Sequence, residues 1–352
     1  MPDNPEWKGL QCPIPLSQYP KIVMAHGSGG RLTRDLIRRM FYPVLQNPFL
    51  AQEHDGARLG DPKAKIVMTT DSHVVQPLFF PGGDIGRLSV FGTANDLAMC
   101  GATPRWLSLS LIMEEGLKME ILWKVVQSIG EAALTSNVKI VTGDTKVIDR
   151  KGEGELLINT TGVGTLDHDQ VICPAEIRSG DRIILSGDIG RHGIAVLSSR
   201  EGLSFETEIQ SDCAFLYKII HQLLHENIPI HCMRDCTRGG MATALVELAD
   251  ESGKHFEIME TAVPINPTVY GACELFGLDP FYVPNEGRFV LFVPESSAEK
   301  ALKCIRAKQD DSSACLIGHV NETPKGSVTA VNAFGGRRRL DLLTGDQLPR
   351  IC

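Results

Sequence analysis

Hydrophobic periodicity switches between two residues and about 3.6 residues along both halves of the chain, which restricts it to layered folds with helices packed on mixed sheets. Leu107, Leu109 and Leu111 alternate with serines and predict a strand with one buried face. Residues 117–134 predict a helix, 138–142 a strand ending at Gly143-Asp144, and 156–164 another strand. Upstream, a β-rich run over 65–70 ends at Asp71, and 84–98 carries Ile85, Leu88, Ala94 and Leu97 at helical spacing. A second unit is expected to begin at the turn Ser179-Gly180-Asp181. It continues with a strand over 182–185, helices over 211–226 and 240–251, strands over 255–260 and 287–293, and a helix over 296–308.

The fold class expected is therefore α/β (α+β) in two domains. The 352 residues suit that count, at roughly 100–200 residues per domain. Residues 1–20 contain Pro2, Pro5, Pro13, Pro15 and Pro20 and read as a lead-in, since proline lacks the amide donor of a continuous helix. An N-terminal domain over 21–168 and a C-terminal domain over 169–334 follow. Gly335-Gly336 opens a tail over 335–352, which is expected to be mobile and ends in Cys352. Gly83-Asp-Ile-Gly-Arg87 recurs as Gly187-Asp-Ile-Gly-Arg191, a match too short to establish duplication.

The net charge of −8, from 35 Lys+Arg against 43 Asp+Glu, argues against broad nucleic-acid or anionic-membrane binding. No apolar run approaches a membrane span, and the polar start lacks a signal peptide's regions, so a cytoplasmic protein is expected. Ten cysteines are scattered without a C-x-x-C pair, which favours free thiols.

His26-Gly-Ser-Gly-Gly30 precedes a helical pattern over 31–40, and could present backbone amides to phosphate or serve merely as a turn. It matches neither a P-loop nor a G-x-G-x-x-G fingerprint. Asp55, Asp71, Asp96 and Asp144 are read as falling at element ends. Carboxylates gathered there suit Mg²⁺, which prefers hard oxygen ligands, although each alone also suits a cap or turn. Lys146 and Glu286 are candidates for a phosphate contact and an acid/base pair, or for ordinary solvated charges. His231, Cys232 and Cys236 fall short of the four ligands of a closed zinc site, whereas Thr237-Arg-Gly-Gly-Met241 could form an anion-binding turn.

Taken in order, several segments resemble those of the HypE family of hydrogenase maturation proteins, within the aminoimidazole-ribonucleotide-synthetase-like superfamily. They are His26-Gly-Ser-Gly-Gly30, Thr70-Asp-Ser-His-Val-Val-Gln-Pro-Leu-Phe-Phe-Pro-Gly-Gly-Asp-Ile-Gly86, Asn95-Asp-Leu-Ala98, Val141-Thr-Gly-Asp-Thr-Lys-Val147, Asp235-Cys-Thr-Arg-Gly-Gly240, Asn285-Glu-Gly287 and Pro349-Arg-Ile-Cys352. The resemblance covers about residues 21–352; the long central segment and the terminal Pro-Arg-Ile-Cys make it specific.

It implies the two-domain fold of that superfamily, with an N-terminal domain that binds ATP and dimerises through its sheets. It also implies that Cys352 accepts a carbamoyl group from the carbamoyltransferase HypF. ATP then drives dehydration of the thiocarboxamide to a thiocyanate, and the cyano group passes to iron on the HypC–HypD complex. By the same resemblance Asp55, Asp71, Asp96 and Asp144 hold Mg²⁺ and ATP, and His26, Gly27, Gly29, Gly30 and Asn95 line the nucleotide site. Lys146 and Glu286 face the modified tail, with Glu286 the preferred proton acceptor. Other readings are an ATP-responsive thiol carrier without dehydratase activity, or another ATP-dependent synthetase of the same fold. A selenophosphate synthetase is disfavoured because its reactive Cys and Lys have no counterpart in His26-Gly-Ser-Gly-Gly30.

Overall fold

The computed structural model describes residues 19–27, 31–47, 65–149, 155–202, 209–308 and 313–342. The lead-in over 1–18, Gly29, Gly30, Asp55 and the terminal Cys352 lie outside the described residues. The chain divides into two compact units, one of Met1–Val74, Asp84–Ala94 and Pro104–Thr165, the other of Val75–Gly83, Asn95–Thr103 and Leu166–Cys352.

In the first unit the helical segment is broken: a 3₁₀ turn Met24–Gly27, α1 Arg31–Leu36, a π-helical turn Ile37–Phe41 and α2 Tyr42–Leu45. Strand β1, Lys65–His73, precedes a two-stranded ribbon of β2, Phe79–Phe80, and β3, Gly83–Asp84. Helix α3, Ile85–Met99, starts where Asp84 Oδ1 accepts the amides of Gly86 and Arg87, filling two donors that a first helical turn leaves open. β4, Thr103–Glu114, α4, Met119–Ser136, and β5, Lys139–Ile148, form a crossover, as two parallel strands require. Asn137 ends α4 at φ 55°, its amide bonded back to Ala133 and Leu134. β6, Leu156–Leu166, completes a sheet of order β1-β6-β4-β5. Leu107, Leu109, Leu111 and Met113 of β4 are buried, and so are Leu122, Val125, Val126 and Ile129 of α4.

The second unit carries a seven-stranded sheet. In chain order it holds β7, Asp181–Leu185; α5, Arg191–Glu201; α6, Tyr217–His225; β8, Cys232–Asp235; α7, Gly240–Ser252; and β9, His255–Met259. Then come α8, Pro267–Phe276; β10, Phe289–Pro294; α9, Glu295–Arg306; β11, Cys315–Asn321; β12, Ser327–Val331; and β13, Arg337–Leu340. The strand order is β13-β12-β9-β11-β7-β10-β8. Both faces are covered. Ile183, Leu185, Val290 and Phe292 join one core with α7, whereas Ile184, Phe289, Leu291 and Val293 join another with α6 and α9. Burial on both sides is why 289–293 is uninterruptedly apolar rather than alternating.

Three sequence expectations are corrected. The helix expected over 211–226 begins only at Tyr217, because the backbone of 211–216 is engaged elsewhere: the Ser211 amide donates to Pro81 O, the Ala214 amide to Glu286 O and the Leu216 amide to Asn95, whose own amide group donates to Ala214 O. The strands expected to stop at Asp71 and Asp144 continue to His73 and Ile148, since their partners carry the pairing onward. The segment after Gly336 does not start a free tail: β13 pairs with β12, and Leu340 is 1% exposed in the core. Among the described residues no helix is long and apolar enough to cross a membrane.

Candidate active site

Strand alternation places the acidic residues of the first unit. Asp71 and His73 point to one face of β1, with His73 Nε2 3.6 Å from Asp71 Oδ2 and 3.3 Å from the buried Thr160 hydroxyl. Gly92 lets α3 lie against that face; a Cβ there would stand 3.0 Å from His73 and 3.7 Å from the Asp71 carboxylate. Thr70, Thr161 and Ser108 are hydrogen-bonded across the opposite face. Ser110 shares that opposite face by alternation, and Asp144 is paired with it in register, followed by Lys146 paired with Ile112. Asp144 and Lys146 are both exposed. Asp71 and Asp144 thus lie on opposite faces and on the two edge strands, whose axes stand three strand spacings, about 14 Å, apart. Within one chain these carboxylates do not meet. Among the described residues no three His, Cys, Asp or Glu side chains gather as a cation site.

The nucleotide candidates divide similarly. His26 is buried at the end of its 3₁₀ turn, where Nδ1 accepts the Val23 amide at 3.1 Å and the ring meets Tyr19 edge-on at 5.4 Å. Burial holds its pKa below the ordinary value. Gly27 closes the same turn. Asn95 is 2% exposed; its amide donates to Ala214 O at 2.9 Å and accepts from the Leu216 amide at 2.9 Å, so it ties the 214–216 segment to α3. Asp96, the next residue of α3, is half-buried. All three described aspartates therefore stand inside elements, not at their ends.

In the second unit Glu286 is half-buried in the loop before β10. Asn285 beside it is fully buried, accepting the Gly190 amide at 2.7 Å and donating to Cys236 O at 3.0 Å and Val283 O at 3.1 Å. Arg288 on the other side reaches Asp188 Oδ1 at 2.7 Å, and Asp188 also holds Arg191. The two Gly-Asp-Ile-Gly-Arg copies are thus used differently: Asp84 caps a helix, whereas Asp188 is a buried counter-ion for two arginines. His231 bonds Asp181 at 2.8 Å, and burial pushes the Cys232 thiol up to about 12 and the Cys236 thiol well above its ordinary value. Among the described residues no third ligand-type side chain gathers with them, so no closed metal site is formed there. Thr237–Gly240 closes a turn whose glycines, at φ 73° and 65°, lead into α7.

Sequence reasoning missed Asp212, which accepts amides from the Glu286 loop, and His73 beside Asp71. His73 stood inside the quoted motif, but Asp212 sat in a stretch read as helix.

Residues 53–166 match the family model of the N-terminal domain of AIR synthase related proteins, and residues 178–331 match that of the C-terminal domain. The carbamoyl dehydratase HypE of Azotobacter vinelandii is 46% identical over 332 residues, 94% of this chain and 97% of that protein. A crystal structure of the hydrogenase maturation protein HypE in complex with ATP superimposes with a TM-score of 0.90 at 44% identity, covering 94% of this chain and 99% of that one. A HypE–HypF complex structure matches with a TM-score of 0.75 at 41% identity, over 87% of this chain and 99% of the other. Identity of 46% across 94% of the chain, with both matched domains in the same order, places the chain in the HypE family of carbamoyl dehydratases.

Proposed function

We propose that this chain uses ATP to dehydrate a carbamoyl group carried on its own Cys352 to a thiocyanate, supplying the cyanide ligands of a nickel–iron hydrogenase in the cytoplasm. The observation that carries this reading is the full-length agreement with an ATP complex of HypE. The carbamoyl donor is HypF, supported by the related HypE–HypF complex, and the cyano acceptor is HypC–HypD. An amide oxygen leaves poorly, so it takes the γ-phosphoryl group first; loss of one N–H proton forms the C=N bond. Loss of the second proton with departure of phosphate forms C≡N. Glu286 accepts a nitrogen proton, and Lys146 offers its cation to the phosphorylated oxygen.

Carboxylate oxygens suit Mg²⁺, which when bound offsets charge on the transferring phosphoryl group. Asp55, Asp71, Asp96 and Asp144 would hold it with the nucleotide, and His26, Gly27, Gly29, Gly30 and Asn95 would line the site. Because Asp71 and Asp144 sit on the two edge strands and on opposite faces of one chain's sheet, a shared site would draw them from two copies. A homodimer joined through the sheet face of Thr70, Ser108 and Thr161 is favoured by the apolar side chains that face exposes, Ile66 by 59% and Met68 by 69%. ATP binding and dimerisation thus fall to the N-terminal domain. From the end of β13 at Leu340, twelve residues lead to Cys352, a contour of at most about 43 Å.

Intact-mass analysis of the full chain with the carbamoyl donor tests the reading. A carbamoyl adduct on Cys352 that loses one water only when ATP is added supports dehydration. An adduct that persists with ATP leaves a carrier, and adduct formation on Cys352→Ala overturns the acceptor.

A further inference from the structure

Glu286 occupies a loop, yet a general base needs a geometry held within about 0.5 Å. The backbone on both sides of it is anchored by one short segment. Asp212 Oδ2 accepts the Glu286 amide at 3.1 Å and the Gly287 amide at 2.9 Å, and the Ala214 amide donates to Glu286 O at 3.3 Å. Asp212 is itself fixed, because Oδ1 accepts the His192 amide at 3.1 Å in the first turn of α5, where the helix dipole favours a negative charge. Segment and loop approach so closely that a Cβ at Gly287 would overlap the Asp212 carbonyl oxygen, so glycine is required there.

We infer that Asp212 is the positioning residue for Glu286, clamping the two peptide amides that orient the Glu286 side chain. The inference rests on the reading of Glu286 as proton acceptor. All three amide contacts use Asp212 as an acceptor, the role of an ionised carboxylate. Burial pushes its pKa up, while the nearby Arg288 and the donated amides pull it back. A buried carboxylate that touches no reacting group, yet takes up three backbone donors, is an expensive device. It ties a loop without regular structure to the 212–214 segment through three hydrogen bonds.

Asp212→Asn in the full-length chain keeps the size but leaves one acceptor oxygen for three donors. Dehydration of preloaded Cys352 should slow about 10- to 100-fold, with the KM for ATP and carbamoyl loading unchanged. The Asp212→Asn/Glu286→Gln double variant should be no slower than Glu286→Gln alone, because both changes disable the same group. Thermal melting verifies folding, and Asp212→Ser, which retains one hydroxyl acceptor, enters the same cycle if the asparagine variant does not fold. Slowing that multiplies in the double variant, or a wild-type rate beside a slow Glu286→Gln, overturns the inference alone. A wild-type rate in Glu286→Gln overturns the reading of Glu286 and the inference with it.

Discussion

Asn95 shows how a motif residue acquires a role its neighbours do not reveal. Its side chain is spent on Ala214 and Leu216, so Asn95→Ala should cost about 1–3 kcal/mol by stranding buried groups. Because Asn95 is proposed to line the nucleotide site, the substitution should also weaken ATP binding measured by calorimetry of the folded variant; an unchanged affinity would leave Asn95 a purely structural role. His192 is fully buried, its Nε2 has no hydrogen-bond partner, and burial lowers its pKa from 6.5 to about 3. Between those values the unfolded chain binds a proton that the folded chain refuses. Its contribution is therefore complete above about pH 6.5 and is lost as the pH falls toward about 3. Urea melts at about pH 7.5 and about pH 4.5 should show His192→Gln losing on the order of 2–3 kcal/mol less than wild type across that interval.

At the scale of elements, β13 ties the chain as far as Leu340 to the second unit's sheet. Arg338 bonds Glu260 and Asp279 and lies 5.1 Å from the Phe281 ring centre, and the Tyr282 hydroxyl donates to Asp341 O at 2.8 Å. These pairs are partly exposed and worth about 1 kcal/mol or less each; the buried Leu340 is the stronger anchor. Leu340→Ala should cost about 2–5 kcal/mol in urea melts. Amide exchange over 337–340 should accelerate while that of β7 and β10 holds, and uniform acceleration would contradict a local anchor. A tail was expected here because no core-facing element is obvious after Gly335-Gly336; an edge strand needs none along its length, since it pairs its backbone while exposing its arginines.

At the scale of the whole molecule, the opposed faces of Asp71 and Asp144 turn the proposed dimer into a test of the proposed metal site. Asp71→Asn and Asp144→Asn should each lose dehydration. If every site takes one residue from each copy, random mixing of the two variants makes half the dimers mixed, each with one intact site. About a quarter of wild-type activity should return. No recovery after verified subunit exchange would place both residues in one copy's site or in none. Met68→Glu, on the exposed face, should yield monomers by light scattering; an unchanged dimer would move the interface elsewhere.

Local pattern was enough for the elements whose signal is periodic and for the family. Leu107, Leu109 and Leu111 announce β4, the 117–134 pattern announces α4 to within two residues, and the quoted motifs in their order select the HypE family. Where the pattern failed, the cause lay far away in the chain. β8, β11, β12 and β13 are strands defined by their partners rather than by a local pattern, and β5 continues past Gly143-Asp144 because β4 runs beside it. The sequence by itself determined the types of chemical group available: carboxylates, a lysine, a glutamate and a terminal thiol. Only the tertiary structure decided their placement. Whether Asp144 shares a face with Asp71 depends on strand order and register, and whether Glu286 is held depends on an aspartate 74 residues away; both are long-range pairings that no local propensity encodes.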